Sequence, residues 1–143
     1  MQTWATRHPA LASELELPQQ SLVTATRNDK PDEKTWSQQI DKLLAIRQLE
    51  DDWDGQGSPA PTVEVVDSAL VLAILLRQDG VIPPTGIVQG VVGEVLFDWQ
   101  SADGKYVEVE VTGPYEADVF IHQPGRPLKH LQWEAVRVTG VAS

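Results

Sequence analysis

Carboxylates are the side chains of this chain best placed to do chemistry, and they are densest between Glu50 and Ser58, where Glu50, Asp51, Asp52 and Asp54 share one short stretch with Trp53, Gly55 and Gly57. The front half has the spacing of a calcium loop. Glu50, Asp52 and Asp54 fall at its first, third and fifth positions, Gly55 at the sixth and Ser58 at the ninth. The bidentate acid such a loop needs at its end is replaced by Pro61, and the next carboxylate, Glu64, lies three residues further on. Calcium or small-ligand binding through Glu50, Asp52, Asp54 and Ser58 is therefore an alternative reading, and the expectation is no cofactor and no metal. The structural reading uses more of the residues. Trp53 would plug the gap between helices and sheet, and Asp54 with Gly55 would make the turn. Asp54 would then accept backbone amides while Asp51 and Asp52 stay solvated.

Glu108 and Glu110 are a second candidate pair, pointing to one face of a strand beside Tyr106. Such a pair could serve as general acid and base in a small enzyme, although the solvated face of a half-buried strand produces the same alternation. His122 and His130 flank the turn from Pro124 to Pro127, where a hairpin could bring them together, but no third ligand stands at a recognisable spacing. With no cysteine, no serine in a nucleophile elbow and no glycine-rich phosphate loop, the chain offers no nucleophile or nucleotide signature. The expectation is a protein that is not an enzyme.

The elements that must hold these residues change period once along the chain. Residues 1–34, with Pro9, Pro18 and Pro31, read as a tail that is flexible or ordered by a partner; within it Ala10 to Leu17 could form a short helix and Ser21 to Thr26 an edge strand. Trp4 is odd in a free tail and reads as a docking knob. A first helix is expected from Thr35, whose Thr35-Trp36-Ser37-Gln38 run has the capping-box form, with Trp36, Ile40, Leu43 and Leu44 on one stripe. A second is expected from Val63 to Gln78, capped by Thr62, ended at Gly80, and apolar enough in its second half to be covered on both faces.

From Ile87 the period becomes two, and short strands alternate with glycine and proline turns. The clearest hairpin joins Val95, Phe97 and Trp99 to Val107, Val109 and Val111 through Ser101 to Gly104. Further strands are expected over Ala117 to Gln123 and Leu128 to Val138. The predicted fold is α+β, with two antiparallel helices packed on a four- to five-stranded antiparallel β-meander. Residues 35–138 would form one domain and 139–143 a loose end. The expected core includes Trp36, Trp53, Leu70, Ala73, Phe97, Trp99 and Val109, with Gly55 shaping the loop.

The order of helix, Trp53-Asp54-Gly55-Gln56-Gly57 loop, proline-rich cap, apolar helix and meander resembles a group of small bacterial proteins with a WDGxG loop over roughly residues 36–122. That resemblance transfers no activity and no site residues.

Charge narrows the partners. Eleven basic against twenty-one acidic residues give a formal net charge of −10, and residues 35–123 hold four basic and fifteen acidic side chains. Phosphate backbones and anionic membranes are repelled at long range by such a chain, so direct nucleic-acid and membrane contact are not expected. A cytoplasmic location is the default expectation, which the missing cysteines and the lack of a leader-like or spanning run fit. The function expected is a non-catalytic interaction module, an inhibitor, antitoxin-like protein or accessory subunit that covers a protein partner with a basic, nucleic-acid-binding surface. Asp51, Asp52, Asp54, Glu108, Glu110 and Trp4 are its candidate contacts. The β-branched run Ile87 to Val92, with little charge to guard it, reads as an edge strand paired by Ser21 to Thr26, by another polypeptide or by a second copy of the chain.

Overall fold

A computed structural model describes residues 2–4, 30–133 and 135–137. Along the chain these form strand β1 (Gln2–Trp4), helices α1 (Lys30–Ile46) and α2 (Val63–Gln78), and strands β2 (Gly86–Gln89), β3 (Val95–Gln100), β4 (Tyr106–Gly113), β5 (Glu116–His122), β6 (Lys129–Trp133) and β7 (Ala135–Arg137). Strands β2 to β6 lie side by side in sequence order as one antiparallel meander, while β1 pairs with β7 in a separate two-stranded ladder. The architecture is α+β, with the helices packed on the sheet.

Helix α2 begins where its sequence predicts, because the Thr62 hydroxyl accepts a hydrogen bond from the Val65 amide at 3.2 Å and fills one otherwise orphaned donor. Its buried stripe is Val65, Val66, Ala69, Leu72, Ala73 and Leu76. Ile74 and Leu75 are 44% and 39% exposed, so α2 is covered on one face and not on both as its composition suggests. Leu70 packs at the margin of the core.

Helix α1 starts five residues before the expected Thr35. Pro31 interrupts nothing there, since an amide in the first turn has no intrahelical acceptor to lose, and Asp32 and Glu33 complement the helix dipole. The buried stripe is Trp36, Gln39, Leu43 and Ile46, whereas Leu44 is exposed. Gln39, which periodicity places outside the stripe, donates through Nε2 to the Pro84 carbonyl at 3.3 Å, and its Oε1 is buried with no hydrogen-bond partner. The helices run antiparallel. Arg47 at the end of α1 bonds Asp67 near the start of α2 at 2.8 Å, and Trp36 near the other end of α1 donates to the Val81 carbonyl beyond α2 at 3.0 Å.

Under the helices lie Ile87, Val95, Phe97, Trp99, Val107, Val109, Val111, Ala117, Val119 and Ile121, every second residue of each strand. Burial of each such side chain is worth about 1.5–3 kcal/mol, and together they fix the register. Trp99 donates to the Ile82 carbonyl at 2.9 Å, next to the carbonyl that Trp36 takes, so α1 and β3 are both tied to the link between α2 and β2.

The expected strand from Leu128 to Val138 is divided into β6 and β7. This division serves the chain start, which is not a tail at residues 2–4: β1 pairs Trp4 with Ala135, and the buried Trp4 indole donates to the Ser68 carbonyl at 2.8 Å. Its ring lies 5.1 Å from Trp133 and 5.8 Å from Tyr115. Trp4 is thus a docking knob for its own domain and is withdrawn from partner contact. The proposed pieces Ala10 to Leu17 and Ser21 to Thr26, and residues 139–143, lie outside the described residues.

Candidate functional site

Both helices cover the same side of the meander, and the opposite side faces solvent. Antiparallel register places Asp98, Glu108, Phe120 and His130 in one cross-strand row, and Val88, Leu96, Glu110, Asp118 and Gln132 in the next. Tyr106 lies between Gln100 and His122 at one end. Glu94, just before β3, extends the acidic set at the other. No Lys or Arg occupies an open-face position among the described strands.

These carboxylates are crowded, half-buried by one another and by Leu96 and Phe120, and the crowding shows in their protonation. The Glu110 carboxyl is pushed up to about 7, first by desolvation, then by its hydrogen bond with Glu108 and the negative charges of Glu108, Glu94 and Asp118. At neutral pH this group is divided between its two forms. The Tyr106 hydroxyl donates to Glu108 Oε1 at 2.8 Å, and desolvation together with that bond holds the phenol protonated well above its usual range. His130 stacks on Phe120, with centroids 4.6 Å apart and planes 8° from parallel, and its Nε2 lies 2.9 Å from Asp118 Oδ1. It leans away from His122, which sits on the other side of Phe120, so the two histidines are not brought together as a metal pair.

The acidic loop between the helices behaves differently. Asp54 Oδ1 accepts from the Gln56 and Ser58 amides at 2.9 and 3.2 Å, and Oδ2 accepts from the Ser58 hydroxyl at 2.5 Å. Those bonds, the Ser58 hydroxyl first, hold its carboxyl below the usual range. Asp52 and Asp51, expected to be merely solvated, also brace the loop: Asp52 Oδ1 accepts from the Gly57 amide at 2.6 Å, and Asp51 Oδ1 from the Ala60 amide at 2.9 Å. Gly55 turns the chain at φ 73°, as its place after Asp54 suggests. Trp53 does not enter the core. It is half-buried and clamps its own loop, donating to the Pro59 carbonyl at 3.2 Å.

Of the oxygens a calcium ion would use, Asp52 Oδ1 and both oxygens of Asp54 are thus engaged by the loop itself. Among the described residues no three His, Asp or Glu side chains converge as a metal site. A cavity of about 310 Å³ opens beside the turn between β5 and β6, lined by Ile121, Gln123, Arg126, Pro127, Leu128 and Lys129.

Of the candidate contacts, Glu108 and Glu110 stand at the centre of the open face, Asp51, Asp52 and Asp54 are held in the loop, and Trp4 is buried. Asp98, Asp118, Glu94 and Phe120 belong to the same face and were missing from the sequence-based set. Their signal was present in strand alternation, which gives the phase of each strand but not which phase the helices leave open.

No known family, curated protein or solved structure matches the chain significantly. Among the described residues no helix is long and apolar enough to cross a membrane.

Proposed function

We propose that the protein is a non-catalytic interaction module whose open sheet face docks a basic surface of another protein. The reading is carried by one observation: five carboxylates, Glu94, Asp98, Glu108, Glu110 and Asp118, share a solvent-facing sheet surface with Leu96, Phe120 and Tyr106, and no described strand residue brings a Lys or Arg to it. Like charges held this close cost stability on their own, and a basic partner converts that cost into attraction and speeds encounter. The apolar and aromatic members supply contact area between the charges. A partner whose surface ordinarily meets nucleic acid has the matching chemistry, so the reading favours an inhibitor or accessory subunit of such a protein.

Docking is favoured over catalysis, even though Glu110 titrates near neutrality, because the carboxylates stand in strand rows interleaved with Leu96 and Phe120, the mix of charge and apolar area that a contact surface uses. Proton linkage gives the reading a further expected outcome. A cationic partner favours ionised Glu110, so binding releases part of a proton and tightens as pH rises from 6 to 8.

The test is capture from the native source with the full chain, identification of the captured protein, and titration of the purified pair at two ionic strengths. The expected complex weakens with salt and is lost for the Glu108→Lys, Asp118→Lys double variant while the melting curve keeps its cooperativity. A salt-insensitive complex, or one unaffected by the double reversal, refutes the acidic face as the docking surface.

A further inference from the structure

Strand β2 is one edge of the meander, and no described residue pairs with its outer side. The Gly90 amide bonds the Glu94 carbonyl at 2.8 Å, and antiparallel alternation from that pair directs Gly86 and Val88 toward β3. Ile87 and Gln89 therefore turn their N–H and C=O groups outward. Edges of this kind are normally guarded by Lys, by bulges or by a covering element. Here no charged residue occurs from Gly80 to Gly93, and Val88, Val91 and Val92 are 52%, 61% and 74% exposed.

The guard is missing from β2 itself, but charge reaches the edge from β3 and the turn before it. On the open face β2 presents Gly86 and Val88, with Gly90 just past its end in the same phase. A Cβ built on Gly86 would lie 3.0 Å from Asp98 Oδ1, and one on Gly90 would collide with the Glu94 carboxyl group. The two glycines thus leave room for the side chains of the neighbouring strand to lean over them. Along its open side the edge reads carboxylate, valine, carboxylate, at the two-residue spacing of a strand.

We infer that β2 receives an extended segment of a partner polypeptide by strand addition, and that the segment carries the pattern basic, any, aliphatic, any, basic. Its basic residues would stand opposite Gly86 and Gly90, against the Asp98 and Glu94 carboxylates, and its aliphatic residue opposite Val88. Backbone bonds to Ile87 and Gln89 supply register, and the alternate side chains supply selectivity. The pattern is palindromic, so it fits in either strand direction. Charge complementarity decides the occupant: a second copy of this chain would bring two more carboxylates to the same spots. The inference rests on the acidic-face reading and extends it from a surface to a sequence pattern.

The probe is a capped heptapeptide, Thr-Lys-Thr-Val-Thr-Lys-Thr, titrated into isotopically labelled full chain at low ionic strength. The Ile87 and Gln89 amides are expected to shift and to gain exchange protection. Exchanging both lysines for glutamates should weaken binding by at least about tenfold, as should Asp98→Asn with Glu94→Gln in the protein when the lysine peptide is used. N-methylation of the peptide amides that face β2 should abolish binding. The inference is overturned if the lysine peptide does not bind, if the glutamate or N-methylated peptide binds as well, or if Ile87 and Gln89 are already protected in the peptide-free monomer. It is equally overturned if the chain alone sediments as a dimer that Val88→Lys dissociates, because a second copy then owns the edge. Equal binding of the N-methylated peptide, together with loss of a captured partner on Glu108→Lys and Asp118→Lys, removes the added strand and leaves the acidic-face reading intact. A partner that survives that double reversal removes the acidic-face reading instead.

Discussion

The loop between α1 and α2 and the open face of the sheet are both rich in carboxylates, and they spend them in opposite ways. In the loop, Asp51, Asp52 and Asp54 accept from four backbone amides and the Ser58 hydroxyl, all within residues 51–60. On the sheet, backbone amides are consumed by the strand ladder, so Asp98, Glu108 and Asp118 take side-chain partners, Gln100, Tyr106 and His130, while Glu94, in the turn before β3, accepts the Val92 amide. Acidic density alone does not mark a binding site. What matters is whether the nearby backbone needs acceptors, and a loop of Asp, Gly and Ser does while a paired strand does not.

That contrast can be broken most directly at the open face. Glu108→Lys with Asp118→Lys is expected to cost roughly a hundredfold in affinity for a basic partner while shifting the denaturation midpoint little, because relief of like-charge crowding offsets the lost Tyr106 and His130 bonds. Titration calorimetry beside thermal melts separates the two effects. The mirror-image result is expected from Asp54→Ala, which removes the acceptor of three hydrogen bonds: the midpoint falls, by more than for Asp51→Ala, which loses one, and partner affinity is kept. Should Asp54→Ala abolish binding in a fully folded chain, the loop and not the sheet would be the contact surface.

A smaller effect sharpens the electrostatic side. Because the folded chain holds the Glu110 proton up to about 7, against 4.5 ordinarily, it binds more protons than the unfolded chain between those values. Stability therefore declines as pH rises through that window and is level above it. Glu110→Gln stays neutral throughout, so the variant should match wild type near pH 4 and exceed it near pH 8 by on the order of 1 kcal/mol, the full shift being discounted for solvent screening. Denaturant titrations at the two pH values measure this, and a constant difference would mean that the crowding is not felt. The smallest expected effect is that of calcium: millimolar calcium should leave the melting midpoint of chelator-treated protein unmoved, since Asp52 Oδ1 and both Asp54 oxygens already have donors and Pro61 stands where the closing acid is needed. A saturable rise lost in Asp52→Ala would restore the calcium reading.

How legible these features were in sequence depended on the range of the forces that made them. Helix α2 and the hairpin of β3 and β4 were readable because a Thr62 cap, a two-residue alternation and an Asp103-Gly104 turn are local signals. The start of α1 was misplaced because Pro31 reads as a breaker anywhere but the first turn, which is where it stands. Gln39 falls outside the apolar stripe by periodicity, and the Pro84 carbonyl that it meets lies forty-five residues away. Trp53 looked like a core aromatic because a large ring in a polar loop usually has nowhere else to go; its own Pro59 carbonyl gave it somewhere. For the acidic face, alternation offered Glu108 and Glu110, but joining them to Asp98 and Asp118 required the register of four strands, and identifying the exposed phase required the helices.

The clasp formed by β1 and Trp4 bears on how the chain reaches its native state. Its ring rests on Tyr115 and Trp133, and its indole hydrogen bond reaches a carbonyl sixty-four residues away. The segment is made early in synthesis but cannot dock until the second helix and the last strands have been made and paired, a long loop to close and an entropic delay. Early residues should therefore be the last to settle, as a late phase in tryptophan fluorescence that Trp4→Phe removes without slowing formation of the central meander. During that interval the Trp133 side of the core stands open, and chaperone protection or misassembly would act on it there.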